Sequence, residues 1–182
     1  MAHIDLPENV PGIIGPLMQY PETARHLNGL AEALLRGSSS LTPAEREVIA
    51  TYVSSQNQCI FCMSSHGAAA RYLLGSEAGV VDLVKADYAS APIGDKLKAL
   101  LAIAGQVQQG GRRVTEAHVA EARKAGADDQ AIHDTVLIAA AFCMYNRYVD
   151  GLATLIPDDP AEYDIIGARI AKNGYSRTVS EG

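Results

Sequence analysis

The sequence predicts an all-α protein, and three observations favour that fold class. Apolar residues recur at the three- and four-residue spacing of helices, as in Leu97, Leu100, Leu101 and Ala104. Good helix-starting residues and helix-ending glycines separate these runs. No run shows the period-two alternation of a half-buried strand bounded by turn residues. We therefore expect a helical bundle with short loops.

The composition indicates one globular domain spanning residues 1–182. A chain of 182 residues with 48% apolar residues is long enough to bury a single core. The formal net charge is −6, and no run of Lys and Arg interrupts that balance. Because phosphates attract basic surfaces, neither a nucleic acid nor an anionic membrane is an expected partner.

Residues 1–22 form a proline-rich lead-in. Pro7, Pro11, Pro16 and Pro21 interrupt every apolar stretch, and no basic start precedes one. This pattern predicts neither a secretion signal nor a transmembrane helix, so we expect a cytoplasmic protein.

Capping residues indicate where the helices begin. Thr42 is a good N-cap, Pro43 suits the first helical position, and Glu45 stands where a capping box requires an acid. The predicted helices cover 22–37, about 43–55, 60–74, 77–87, 95–111, 116–126 and 130–156.

The last third of the chain holds the longest predicted helix. Thr115 is expected to cap the helix before it. Asp128 or Asp129 opens the long helix, which Pro157 is expected to close. Residues 158–182 are then a C-terminal tail with at most one or two helical turns.

Two segments resemble each other and suggest a weak internal helical repeat. "NQCIFCMSSH", residues 57–66, follows a capped helix, and "AAAFCMYNRY", residues 139–148, stands in a similar position in the second half.

The stretch "NQCIFCMSSHGAAA", residues 57–70, carries the residues with chemical potential. On a helix, Cys59, Cys62 and His66 fall within one narrow stripe, and His66 lies one turn beyond Cys62. Ala70 shares the stripe, so it is also partly a packing face. In a reducing compartment, a closely spaced cysteine pair is more often catalytic or metal-binding than structural.

A redox role is the interpretation that these residues favour. A helix start and a neighbouring histidine each lower a cysteine pKa from about 8.5 towards neutrality. A thiolate beside a second thiol can attack a peroxide, become a sulfenic acid and condense to a disulfide. The proximity of His66 favours Cys62 as the attacking thiol with Cys59 resolving, whereas the helix-start effect favours Cys59, so both assignments stay open.

Zinc binding and inert buried sulfur are the competing interpretations. The Cys-x2-Cys-x3-His run offers three ligands, but structural zinc requires a fourth. A thioredoxin fold does not suit the sequence, because the pair follows a capped helix instead of a strand. Cys143, in the middle of a helix, is interpreted as a buried structural residue. The candidate fourth ligands, all remote in sequence, are Glu47, His118, His133 and Cys143.

Two segments carry a resemblance to a known family. "LRGSSSLTPAEREVIATYVSSQNQCIFCMSSH" and "AAAFCMYNRYVDGLATLIP" resemble the alkylhydroperoxidase D-like proteins of the carboxymuconolactone decarboxylase superfamily, and most closely the peroxidase-related branch. The resemblance covers most of residues 5–157. Its Glu-x11-Cys-x2-Cys-x3-His spacing is more specific than a CxxC pair alone.

The resemblance implies a fold, an activity and a set of site residues. It implies an all-helical homo-oligomer, often a trimer or hexamer, that reduces a hydroperoxide with electrons from a dithiol reductant not identified by the sequence. Cys59 and Cys62 would form the redox pair, and His66 and Glu47 would form an acid–base relay. The resemblance implies no metal, haem or flavin.

Two positions limit how far the family mechanism can be transferred. The founding peroxidase of the family has a histidine immediately before its second cysteine, where this chain has Phe61. On a helical wheel, Glu47 lies almost opposite the apolar side of its helix, so the sequence alone predicts an exposed side chain. A catalytic Glu47 is therefore implied by the resemblance only.

Two other functions remain alternatives to the peroxidase. One is a decarboxylase acting on a muconolactone-like acid, a reaction with no evident need for a cysteine pair. The other is a non-enzymatic helical module that senses redox state or binds a metal.

Overall fold

The computed structural model describes residues 2–175, and its regular structure is entirely helical. Two 3₁₀ turns, Gly75–Glu77 and Gly111–Arg113, join some of the helices. The predicted all-α fold class is confirmed. The α-helices in this part of the chain are α1 Ile14–Gln19, α2 Pro21–Arg36, α3 Pro43–Gln56, α4 Ile60–Leu74, α5 Val80–Asp87, α6 Asp95–Gln109, α7 Glu116–Lys124, α8 Asp129–Gly151 and α9 Pro160–Asn173.

The predicted helix starts coincide with side-chain caps. The Glu45 backbone N–H donates to Thr42 Oγ1 at 3.2 Å, and the Thr42 N–H donates to Glu45 Oε2 at 2.8 Å. This reciprocal capping box satisfies two backbone donors at the start of α3. At the start of α8, Asp128 Oδ1 accepts from the Ala131 N–H at 2.7 Å. The local sequence thus determines where α3 and α8 begin.

Helix α3 lies at the centre of the molecule. It packs against α2, α4, α5, α6 and α8, and every side chain from 46 to 54 is buried. The main core forms around it from apolar residues of these neighbouring helices. Because neighbouring helices cover α3 on all sides, the polar side chains of residues 46–54 are buried together with the apolar ones.

The lead-in is more ordered than its prolines suggest. Helix α1 includes Pro16 as its third residue, where a missing backbone N–H breaks no helical hydrogen bond. The lead-in also pairs with the segment after α8, since the Gly12 N–H donates to the Leu155 carbonyl at 2.8 Å. Across residues 2–175, no helix combines the length and the apolarity that crossing a bilayer requires.

Helix α8 ends at Gly151, six residues earlier than Pro157, the residue expected to close it. Ala153 adopts a left-handed conformation with φ of 48°, and the Thr154 N–H bonds back to the Val149 carbonyl at 3.3 Å. Backbone carbonyls after the end of α8, among them that of Leu155, accept hydrogen bonds from backbone N–H groups of the lead-in. The left-handed turn at Ala153 therefore ends α8 ahead of Pro157.

The C-terminal segment after Pro157 forms a much longer helix than predicted. Asp159 caps α9 by accepting from the Ala161 N–H at 2.9 Å, and α9 continues to Asn173. It packs closely against α4, because a Cβ at Gly167 would lie only 2.5 Å from the Ala68 Cβ. The sequence does carry a signal for this helix. It begins with Asp-Pro, and the residues at 163, 166, 167 and 170, which the structure buries, recur at helical spacing.

Candidate active site

The candidate site lies where α3, α4 and the residue after α9 meet. Helix α3 supplies Glu47, and α4 supplies Cys62 and His66. His66 Nδ1 is 2.8 Å from Glu47 Oε2, although the two residues are 19 positions apart. The packing of α3 against α4 thus brings together the acid and the imidazole of the predicted site.

Glu47 is completely buried, so the predicted exposure of this residue is wrong. The helical wheel identified the apolar side of α3 correctly, but the opposite side is covered by α2 and α4. Its carboxylate is stabilised by two further donors. Arg36 Nη2 and the Tyr175 hydroxyl each donate to Glu47 Oε1 at 2.6 Å.

The charge of Glu47 is compensated by these neighbours. Burial by itself raises the pKa of the Glu47 carboxyl, because a charged form is disfavoured away from water. The hydrogen bond and charge of His66, the charge of Arg36 and the Tyr175 hydroxyl outweigh that effect and hold the pKa below its ordinary value. Glu47 is therefore an anion at neutral pH.

The imidazole of His66 is held by contacts on several sides. Its Nδ1 faces the Glu47 carboxylate, which favours the tautomer with the proton on Nδ1. The Phe142 ring meets it edge to face with centroids 4.6 Å apart, and the Tyr175 ring stacks on it with centroids 5.9 Å apart. Because Nδ1 donates to Glu47, Nε2 is the nitrogen left to accept a proton.

The two cysteines lie at the start of α4 and are both reduced. Cys59 is the N-cap residue and has no exposed surface, whereas Cys62 occupies the first turn and is 3% exposed. The hydrogen bond of the Cys59 thiol to Cys62, together with burial, raises the pKa of Cys59 above its ordinary value. The two thiols thus lie within hydrogen-bonding reach of each other at the buried start of α4.

Two adjoining cavities reach the site. The inner cavity, of about 60 Å³, is lined by Cys62 and His66 together with the rings of Phe61 and Tyr175. The outer cavity, of about 570 Å³, reaches His66 but not Cys62. The residues that line both cavities are Ile13, Leu17, Asn28, Phe61, His66 and Tyr175.

Phe61 lines both cavities and is the sequence neighbour of Cys62. Its ring packs against Tyr163 with centroids 6.2 Å apart and fills the space beside Gly12. It offers no hydrogen-bonding group to Cys62. Where the founding peroxidase has a histidine, this chain therefore places an apolar ring in the cavity that Cys62 lines.

Two side chains of the site were not anticipated from the sequence. Arg36 stands in the last turn of α2, where a basic residue usually has only a capping role. Tyr175 follows α9, and nothing in the local sequence indicates that its hydroxyl reaches Glu47. Arg36 lies 11 positions before Glu47 on a different helix, and Tyr175 lies 128 positions after it, so helix packing brings both to the site.

The remaining sequence candidates lie outside this cluster. His118 accepts from the Thr115 backbone N–H at 3.1 Å and caps α7, and His133 bonds Asp134 at 3.0 Å. Cys143 is half-buried, less so than predicted, and lies 3.6 Å from Asn57 Nδ2. Within residues 2–175, no three His, Cys, Asp or Glu side chains come together as a metal-ligand set.

Comparison with known proteins identifies the family. The family model of the carboxymuconolactone decarboxylase family matches residues 21–78 and again residues 75–155. The chain belongs to this family, and within the superfamily to its alkylhydroperoxidase D-like, peroxidase-related branch. The two matches agree with the predicted internal repeat. No curated protein sequence matches the chain.

Two solved structures are similar to this one over most of their length. An uncharacterized peroxidase-related protein from Silicibacter sp. TM1040 has 29% identity and a TM-score of 0.74, covering 82% of this chain and 78% of its own. A second, from Ralstonia eutropha JMP134, is described as an alkylhydroperoxidase AhpD core and an uncharacterized peroxidase-related protein. It has 30% identity and a TM-score of 0.77, covering 87% of this chain and 81% of its own.

Proposed function

We propose that this protein is a cysteine-based peroxidase that reduces hydroperoxides through a dithiol–disulfide cycle. One observation carries the proposal: Cys62 and His66 line the same small cavity, and His66 is held by a buried, ionised Glu47. An imidazole with Nδ1 bound to a carboxylate is oriented to take a proton at Nε2.

The first half of the cycle is carried by Cys62. His66 accepts the thiol proton, and the Cys62 thiolate attacks the terminal oxygen of the hydroperoxide. The O–O bond breaks, Cys62 becomes a sulfenic acid, and the alkoxide leaves as an alcohol after taking the proton back from His66. Of the two open assignments, Cys62 as the attacking thiol is favoured, because Cys62 lines a cavity together with His66 whereas Cys59 has no exposed surface.

Cys59 completes the second half of the cycle. Its sulfur attacks the sulfur of the Cys62 sulfenic acid, an S–S bond forms, and the hydroxide that leaves takes the Cys59 proton to give water. An external dithiol then reduces the disulfide and is itself oxidised to a disulfide. The net reaction converts one hydroperoxide and one dithiol to an alcohol, water and a disulfide.

The outer cavity supports an organic hydroperoxide as substrate in preference to hydrogen peroxide. Its wall combines the apolar side chains of Ile14, Ile166 and Ile170 with polar ones from Asn28, Ser65, Arg169 and Asn173. The isoleucines can stabilise a bound alkyl or aryl group, whereas hydrogen peroxide gains nothing from them. A lower KM for cumene hydroperoxide than for hydrogen peroxide is the expected result.

The test is a turnover assay with purified, reduced protein. Hydroperoxide loss is followed with dithiothreitol as the reductant, and free thiols are counted before and after one equivalent of peroxide. The proposal requires that two thiols disappear for each hydroperoxide consumed and that Cys59 and Cys62 are found linked by mass spectrometry. If both thiols remain free while the peroxide persists, the peroxidase proposal is wrong.

The family name also covers a decarboxylase, so the same preparation is tested for that activity. Replacement of both Cys59 and Cys62 by serine separates the two reactions. Loss of peroxide turnover in this variant supports the peroxidase, and undiminished decarboxylation of a muconolactone-type acid would support the alternative. The predicted homo-oligomer, a trimer or hexamer, is checked by light scattering on the same sample.

A further inference from the structure

Tyr175 follows α9 and brings a phenol hydroxyl into the site. Its hydroxyl is 2.6 Å from Glu47 Oε1 and 3.2 Å from His66 Nδ1, so it contacts both members of the relay. Its ring lines the inner and the outer cavity. The side chain therefore belongs to the site, although it comes from a segment 109 residues beyond His66.

The backbone before Tyr175 is built to place this side chain. Helix α9 ends at Asn173, and Gly174 turns the chain with φ of 67°. The Tyr175 N–H then donates to Glu32 Oε2 at 2.6 Å. A Cβ at Gly174 would lie 2.5 Å from the same Glu32 oxygen, so a side chain there would force this contact apart.

Two further contacts fix the ring of Tyr175. It stacks on the His66 imidazole with an interplanar angle of 14°. The central carbon of the Arg36 guanidinium lies over the Tyr175 ring, 5.2 Å from the ring centroid. Arg36 and Tyr175 also donate to the same oxygen of Glu47. Arg36, Glu47 and His66 thus hold the ring and the hydroxyl of Tyr175 in place.

The Tyr175 hydroxyl remains a hydrogen-bond donor across the neutral pH range. Burial raises the pKa of Tyr175 well above its ordinary value, and the nearby Glu47 carboxylate raises it further. A protonated phenol can donate to Glu47 Oε1 and leave Oε2 for His66. Phe61, the neighbour of Cys62, offers no such group.

We propose that Tyr175 is a positioning residue that holds Glu47 ionised and aligned, so that His66 can accept the proton of Cys62. This inference rests on the proposed function, because it assigns Tyr175 a part in activating the same thiol. Without the hydroxyl, the buried carboxylate loses one of the donors that replace water around it. Glu47 then takes up a proton at a higher pH and releases its hold on His66 Nδ1.

The experiment measures how fast iodoacetamide alkylates Cys62 at different pH values. A Cys59→Ser background makes Cys62 the only cysteine in its tryptic peptide, and mass spectrometry follows that peptide. With Tyr175→Phe, we expect the acid limb of the rate profile to move to higher pH, with alkylation about tenfold slower along that limb. The ring remains, so the packing against His66 is kept.

A second variant displaces Tyr175 without altering its side chain. Gly174→Ala introduces the Cβ that meets Glu32, and it should shift the profile in the same direction as Tyr175→Phe. Gly126→Ala is the matched control, since Gly126 also has a positive φ, of 93°, but has open space around it at the end of α7. Tyr52→Phe is the control for the loss of a buried phenol remote from the site.

The outcomes separate this inference from the proposed function. An unshifted profile in a folded Tyr175→Phe protein would overturn the role of Tyr175, whatever the Gly174→Ala protein shows and even if the protein is a peroxidase. A shift in both, with unchanged profiles for Gly126→Ala and Tyr52→Phe, supports it. The alkylation rate does not depend on peroxide turnover, so the failure of the peroxidase assay alone would leave this result intact.

Discussion

The same three residues, Phe-Cys-Met, occur on α4 at 61–63 and on α8 at 142–144, but in very different surroundings. Cys62 is 3% exposed and lines the inner cavity, whereas Cys143 is half-buried beside Asn57. The family model matches a segment around each triplet. A shared helical pattern therefore does not suffice to build a thiol site.

The difference lies in the residues that surround each cysteine. Four positions after Cys62 stands His66, held by Glu47, whereas four positions after Cys143 stands Arg147, which is exposed and donates to the Cys143 carbonyl at 2.8 Å. The first half thus supplies a base and an anion, and the second half supplies neither. Helix α8 contributes the Phe142 ring, which packs edge to face on His66.

Replacing the two cysteines one at a time is the strongest test of this comparison. Cys62→Ser should lower hydroperoxide turnover by on the order of a thousandfold or more, because it removes the sulfur that we propose attacks the peroxide. Cys143→Ser, the matched change on α8, should retain turnover within about twofold. The measurement is hydroperoxide loss with dithiothreitol. Equal losses in both variants would mean that the two triplets are functionally equivalent.

Replacing the Glu47 carboxylate is expected to have the next largest effect on hydroperoxide turnover. Glu47→Gln keeps the shape of the side chain but removes the charge that orients His66, and turnover should fall roughly a hundredfold. Glu45→Gln, on the same helix, alters the capping box and should lower the thermal midpoint while leaving turnover near the parent value. A Glu47→Gln protein with full activity would exclude a relay through this residue.

The lowered pKa of Glu47 predicts a dependence of stability on pH. A carboxyl whose pKa is depressed on folding adds stability above the unfolded pKa of about 4.3, and this contribution is lost as the pH falls through the folded pKa. Denaturant unfolding should therefore show a larger loss of stability on acidification for the parent than for Glu47→Gln. Other depressed carboxyls, such as Asp82, are present in both proteins and cancel in the difference. Parallel acid dependences would contradict the ionised state assigned to Glu47.

The sequence predicts much of the fold because its signals are local. Thr42 and Asp128 mark helix starts through contacts within three residues of themselves. Glu47 shows where such reasoning stops, since its burial results from helices that are distant in sequence and cover the polar side of α3. The end of α8 was mispredicted for a different reason, because its left-handed turn falls at Ala153, a residue type that rarely adopts this conformation.

Part of the candidate site could likewise be predicted from local sequence, and part depends on helix packing. Cys59, Cys62 and His66 belong to one helix and its N-cap, so their spacing in the sequence predicts that they share one face. The contacts of Arg36 and Tyr175 with Glu47 depend on how α2 and α9 pack, and no periodicity encodes them. The family resemblance compensated for part of this gap by identifying Glu47, but it named neither donor.

The smallest expected effect comes from transplanting the cysteine–histidine pattern to α8. In a Cys62→Ser background, Ala140→Cys and Arg147→His would recreate the spacing Cys-x2-Cys-x3-His around Cys143. Positions 140 and 147 are exposed, and nothing in the described part of the chain holds a histidine there as Glu47 holds His66. We expect no recovery of turnover above the Cys62→Ser level. Recovery to even a tenth of the parent rate would show that spacing on a helix is enough, and that burial beside an anion is dispensable.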